Sequence, residues 1–311
     1  MPHLQIRLLG KISIEADGQT LDGFSACKVQ EILSYLLLYR DRPHSRETLA
    51  ALLWGDCPTE KSKKYLRQAL WHLQAALEAH KNRGGSGIGL SVEHDWVQID
   101  THPTMWLDIA VLEQSYALVQ GVPGRDLDLQ QATSLQSAVE VYRGDLLEGW
   151  YQDWCLYGRE LLQNKYLMIL DKLIGHCLSH QQYETGQRYG ALILRYDRAR
   201  ERTHRQLMRL LYMSGDRTGA LRQYERCVSA LREELGVQPD KLTLALYEEI
   251  RGNYLEKYTA PINQMMTADA ATSLPEVLGR LKELQALLAR VQHRVKRDIK
   301  TVELGLKAYK H

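Results

Sequence analysis

A strongly one-signed run of residues able to do chemistry lies between positions 61 and 83. There Lys61, Lys63, Lys64, Arg67, Lys81 and Arg83 stand against a single acid, Glu78. Cations at this density neutralise phosphates and displace counterions, which suits double-stranded DNA. Gln68, Trp71 and His72 are interleaved with them. A guanidinium pairs bidentately with guanine O6 and N7, and a carboxamide with adenine N6 and N7, so Arg67 and Gln68 are the candidate base readers. Lys63, Lys64 and Lys81 suit phosphates, which fix register without specifying sequence. Trp71 has the alternative of packing as core against the hairpin that follows. Charge alone favours a merely solvated helix face, so the elements around the run must decide.

Other constellations are weaker. His176 and His180 stand four apart beside Cys177, a metal pair in outline, but no third ligand follows and a helix explains them better. Gly84-Gly85-Ser86-Gly87-Ile88-Gly89 lacks the Lys-Ser/Thr of a phosphate loop and reads as a flexible approach to a hairpin. The run Arg195, Arg198, Arg200, Arg202, Arg205 and Arg209, with Asp197 and Glu201, could bind a phosphorylated effector or DNA, yet solvated edges of a helical pair account for it better. No carboxylate pair, nucleophile–base set or metal cluster emerges, so neither an enzyme nor a cofactor is expected.

The positioning elements follow from periodicity. Leu4–Leu8 and Ile12–Glu15 alternate at period two around Gly10 and close at Asp17-Gly18, a hairpin or meander. From Lys28 the period lengthens, and Val29, Ile32, Leu33, Leu36 and Leu37 line one helix face that stops near Asp41-Arg42-Pro43. A second helix starts at Ser45, a good N-cap, and buries Leu49, Leu52 and Leu53. A third spans about Thr59–His80, with Leu66, Leu70, Leu73 and Leu77 as its buried stripe and the basic residues on the other side. The runs 88–92 and 96–99 form a hairpin around Glu93-His94-Asp95. Strands, three helices and a hairpin are the order of a winged helix, whose third helix enters the major groove.

From Asp108 to Tyr258 the pattern is helical. At a lag of 34, Gln181-Gln182-Tyr183 with Gly186 aligns onto Gly215-Asp216-Arg217 with Ala220, and Cys177 onto Leu211. That lag is the tetratricopeptide period of stacked antiparallel helix pairs. Residues 259–273 read as a linker. Leu274, Leu281, Leu288, Val295 and Val302 then recur every seven residues, interleaved with Val277, Leu284 and Val291. This is a heptad seam, for which Leu281, Leu284, Leu288, Val291, Val295 and Val302 are the candidate dimerisation residues. A helix folded back as a cap is the competing reading.

The expected architecture is mainly α with a small α+β N-terminal module. A winged helix-turn-helix (1–100) precedes a tetratricopeptide-like helical solenoid (101–258), a linker (259–273) and a C-terminal heptad helix (274–311). The 311 residues carry 40 basic and 38 acidic side chains, a formal charge of +2. Disorder and collagen are thereby excluded. No apolar run approaches the roughly 18 residues of a membrane span, and the N-terminus lacks a signal-peptide apolar region, so a cytoplasmic protein without membrane partners is expected. Five cysteines with no C-x-x-C spacing suit reduced core thiols.

Several motifs also carry a family resemblance. Ser45-Arg46-Glu47-x-Leu49-Ala50-x-x-Leu53-Trp54-Gly55-Asp56 and Leu66-Arg67-Gln68-Ala69-Leu70-x-x-Leu73 resemble the OmpR-type winged helix of SARP-family transcriptional activators. Leu107-Asp108-Ile109, Tyr142-Arg143-Gly144-Asp145-Leu146-Leu147, Ala220-Leu221-Arg222-Gln223-Tyr224 and Glu233-Glu234-Leu235-Gly236-Val237-Gln238-Pro239 are similar to the bacterial transcriptional activator domain that accompanies it. The resemblance implies DNA binding, recruitment of RNA polymerase through the loop holding Asp56, Thr59 and Glu60, and a helical domain for dimerisation or effector input. No G-x-x-x-x-G-K-[ST] is present, so the ATPase module of larger relatives is not expected. A protein-interaction scaffold, or an effector-gated sensor whose winged helix does not act alone on DNA, is the alternative.

Overall fold

The computed structural model describes residues 4–21, 23–24, 26–82, 88–101 and 105–252. The heptad seam, Arg83 and Gly84–Gly87 lie outside the described residues. The N-terminal sheet has the order β3-β2-β1-β7, built from β1 (Leu4–Arg7), β2 (Ser13–Ala16), β3 (Gln19–Thr20) and β7 (Met105–Leu107). Asp17 and Gly18 take positive φ of 49° and 81°. The Asp-Gly pair therefore turns β2 tightly into β3, because a two-residue hairpin loop needs left-handed backbone. Three helices follow: α1 (Cys27–Leu38), α2 (Arg46–Leu53) and α3 (Thr59–Asn82). A second sheet, ordered β4-β6-β5, joins β4 (His44–Ser45) to the hairpin of β5 (Ile88–Val92) and β6 (Trp96–Thr101). Ser45 stands at the N-cap of α2, but its hydroxyl makes no capping bond; the residue belongs to β4, paired with Trp96.

Helices α4 (Asp108–Leu118), α5 (Leu129–Val141), α6 (Asp153–Ser179), α7 (Tyr183–Tyr196), α8 (Glu201–Met213), α9 (Arg217–Leu235) and α10 (Lys241–Arg251) complete the described chain. The 34-residue offset is visible in the elements: α7 and α9 begin at Tyr183 and Arg217, and α6 and α8 end at Ser179 and Met213. Gln181 and Gly215 occupy the same place in the two turns, both at positive φ. Gly186 and Gly190 let α7 approach α8, since a Cβ at either would fall within 3.0 Å of Leu210 or Leu207. The Glu233–Pro239 motif is a helix stop and restart. Gly236 caps α9 in the left-handed region at φ 68°, and Asp240 caps α10 by accepting from the Thr243 amide at 2.9 Å.

One buried cluster runs without interruption from Leu4 to Leu210, so strands, winged-helix helices and the first helical hairpins share a core. Three devices bind β1 and its extension to the helical part. β7 adds to β1 in parallel, Leu4 opposite Met105 and Ile6 opposite Leu107. The buried Asp108 carboxylate accepts the amides of Leu8 (2.8 Å) and Leu9 (2.7 Å). Backbone bonds join Gly10 to Asp145 and Glu148, and Leu8 to Leu147. Gly158 lets α6 close on α1, with Leu38 in the space a Cβ would take. The motif residues 107–109 and 142–147 are thus the joint between the two parts of the chain.

Candidate nucleic-acid interface

Helix α3 has 24 residues, about 36 Å at 1.5 Å per residue, and its two faces are sharply divided. Ser62, Leu66, Ala69, Leu70, Leu73, Ala76, Leu77 and His80 are buried, the face that packs against α1 and α2. The opposite face exposes Lys61, Lys64, Arg67, Gln68, Trp71, His72 and Lys81. Lys64, Arg67, Gln68 and Trp71 fall at i, i+3, i+4 and i+7, a single stripe. Trp71 is 65% exposed and meets the His72 ring edge-on at 4.9 Å, so it is no part of the core. A large indole held in water beside cations is the surface feature that most asks for a partner.

Lys63 is half-buried and already has a partner. Its ammonium reaches back to the Glu47 carboxylate of α2 at 2.9 Å, which raises its pKa through that hydrogen bond and charge. It braces α2 against α3 and is not presented with the rest of the stripe. Lys81 stands at the C-terminal end of α3 beside the hairpin, in a shallow groove lined also by Glu78 and Asp100.

The turn between α2 and α3 is built from inside. The buried Ser62 hydroxyl lies 3.0 Å from the Trp54 carbonyl and 3.2 Å from that of Cys57. Lys28 of α1 donates to the Leu53 carbonyl at 2.7 Å, pairs with Glu31 and lies under the Trp54 ring. These bonds satisfy the open carbonyls at the end of α2 and leave Asp56, Thr59 and Glu60 exposed. The hairpin is anchored by Arg46, which sequence reasoning did not single out. Its guanidinium donates to the Glu93 carbonyl and its amide to that of Asp95. The hairpin turn carries Glu93, His94 and Asp95, all exposed, and so adds no cationic charge to the α3 face.

The other candidates resolve differently. Arg198 pairs with Glu233 and Glu234, Arg202 with Asp171, and Arg205 with Glu201 and Asp240, the edges of helix pairs. His176 and His180 stack on each other. Among the described residues no group of three His, Cys, Asp or Glu could hold a metal. Gly89 lies in β5 opposite Asp100, in a strand and not a phosphate loop. Among the described residues no helix is long and apolar enough to cross a membrane.

Comparison with known proteins shows what this chain resembles. Residues 107–251 match the bacterial transcriptional activator domain. The chain is 24% identical over 270 residues to the transcriptional regulatory protein EmbR of Mycobacterium tuberculosis, covering 80% of this chain and 63% of EmbR. It thus spans a little under two thirds of that relative. It is 26% identical over 256 residues to the transcriptional regulator RedD of Streptomyces coelicolor, covering 79% of this chain and 70% of RedD. The solved structure of M. tuberculosis EmbR in complex with a low-affinity phosphopeptide shares the fold, with a TM-score of 0.63 at 20% identity over 81% of this chain and 65% of that one. By these matches the chain is similar to SARP/BTAD transcriptional regulators, with residues 107–251 matching the bacterial transcriptional activator domain.

Proposed function

We propose that the chain regulates transcription by binding duplex DNA sequence-specifically through α3, as an activator that recruits RNA polymerase. The observation that carries this reading is the exposed stripe Lys64–Arg67–Gln68–Trp71 on a helix whose opposite face is locked into the core. A helix held so firmly presents its side chains at fixed spacing, which reading base edges requires. Arg67 and Gln68 read bases. Lys61, Lys64 and Lys81 hold phosphates. Trp71 supplies an apolar surface for the thymine methyl group. Asp56, Thr59 and Glu60 face the polymerase, and an exposed acidic loop suits a basic partner surface.

In this reading residues 1–100 are the DNA-binding module and residues 101–258 the helical domain for dimerisation or effector input. Residues 274–311 pair two copies in the cytoplasm. The test is selection of bound sequences from random duplex DNA by the purified chain, with affinities measured at two salt concentrations. Enrichment of spaced half-sites is the expected result. Salt-sensitive binding with no enriched motif would point to the alternative, a scaffold or effector-gated sensor.

A further inference from the structure

Helices α7, α8 and α9 enclose a groove of about 700 Å³ that the DNA-binding reading leaves unused. Its floor is apolar, with Ala191 and Leu194 from α7 and Leu207 and Leu211 from α8. Its rim is cationic, formed by Arg188, Arg195, Arg198 and Arg226, with Glu184 the one acid among the lining residues. Two of these cations are engaged: Arg198 by Glu233 and Glu234, and Arg226 by the Gln223 carboxamide. Arg188 and Arg195 are paired with no acid among the described residues. They sit seven residues apart, two turns along one face of α7.

The walls are rigid. His204, 3% exposed, is bonded to the Arg198 carbonyl at 2.9 Å and to the Gln223 amide at 2.8 Å, which ties α8 to the end of α7 and to α9. The close approaches at Gly186 and Gly190 set the α7–α8 spacing.

We infer that this groove docks an acidic peptide segment of a partner protein, one in which carboxylates alternate with apolar side chains. This deepens the effector-input role proposed for the helical domain and rests on that reading. Charge decides the occupant. The chain's own C-terminal segment is a poor fit, because residues 274–311 hold nine Lys and Arg against four Asp and Glu and would meet the arginine rim with like charge. DNA would satisfy the rim and leave the apolar floor unused. The groove is open along its length, whereas a small ligand needs about 70–90% of its surface covered. An extended or helical segment fills such a groove with apolar anchors while its acids pair with the rim.

The experiment is selection from a random peptide display library on the immobilised full chain, followed by fluorescence anisotropy of the best labelled peptide. Enriched sequences should interleave Asp or Glu with Leu-type residues. Affinity should fall at least about tenfold in the Arg188→Glu/Arg195→Glu double variant. It should fall similarly in Ala191→Trp, which fills the floor from an exposed position without altering charge. Duplex DNA binding should be unchanged in both. A Lys64→Ala/Arg67→Ala variant should keep the peptide and lose DNA, so the two readings fail separately. No enrichment, enrichment of basic sequences, or equal affinity in both groove variants would overturn the inference.

Discussion

Lys64 and Arg67 lie one turn apart on α3 and are expected to fail in different ways. Lys64→Ala should weaken binding to all duplexes alike and lower the salt slope by about one, because it removes one phosphate contact. Arg67→Ala should cost about 1–3 kcal/mol on the cognate site and relax preference at one base position. Affinities for the selected sequence and its single-base variants at two salt concentrations separate the two. Asp108 gives a second prediction at this scale. Burial holds its carboxyl at about 6, above the ordinary 3.8, despite three amides that favour the ionised form. Between these values the folded protein retains a proton that the unfolded chain has released. The stability this group contributes is therefore present at low pH and is lost as pH rises through about 6, by at most about 1.4 kcal/mol per pH unit. Asp108→Asn should flatten that part of the stability–pH curve measured by urea unfolding. A curve unchanged in the variant would remove the assignment.

Among the elements, the two turns that start α7 and α9 are built to one plan with different residues. Gln181 holds φ 57° where Gly215 holds 88°. A side chain in the left-handed region costs about 1–2 kcal/mol that glycine does not incur. Gln181→Gly should accordingly raise the melting temperature by about 2–4 °C, the shift of a 1 kcal/mol gain in a domain of this size. Gly215→Gln should lower it. The equivalence of the two positions was readable as a 34-residue lag, because a left-handed turn and a small residue at a helix contact leave a local signature. The faces of α3 were readable for the same reason. Lys63 was not: its spacing put it off the buried stripe, but the acid it reaches comes from another helix. For Trp71 residue type alone does not choose between core and surface, since an indole suits either.

For the molecule as a whole, the shared core makes the winged helix depend on the chain that follows it. A fragment of residues 1–100 lacks β7, the Asp108 carboxylate and the 145–148 backbone that pair with β1 and its extension. It should melt well below the 1–252 unit in circular dichroism, and an equal melting temperature would show the joint to be energetically idle. Oligomeric state belongs to this scale too. If residues 274–311 pair two copies, their deletion should halve the mass measured by light scattering; an unchanged mass would remove the dimerisation reading. Leu281, Leu284, Leu288, Val291, Val295 and Val302 then provide the point substitutions that localise the effect.

Much of this was legible in the order of residues alone. Period-two and 3.6-residue patterns report which side of an element is buried, so β1, β2 and the helices stood out, as did the cationic stripe opposite the leucines of α3. Those patterns report burial and are silent on partners. Three-residue β7 is too short to show a period, and its pairing with β1 across a hundred residues follows from chain closure around a common core. The same is true of Asp108, whose carboxylate accepts from the amides of Leu8 and Leu9, and of the Lys63–Glu47 brace. The groove of α7, α8 and α9 is the clearest case. Local charge explains the run from Arg195 to Arg209 as solvated, yet folding satisfies Arg198, Arg202 and Arg205 with acids from other helices and leaves Arg195, with Arg188 from outside the run, over an apolar floor.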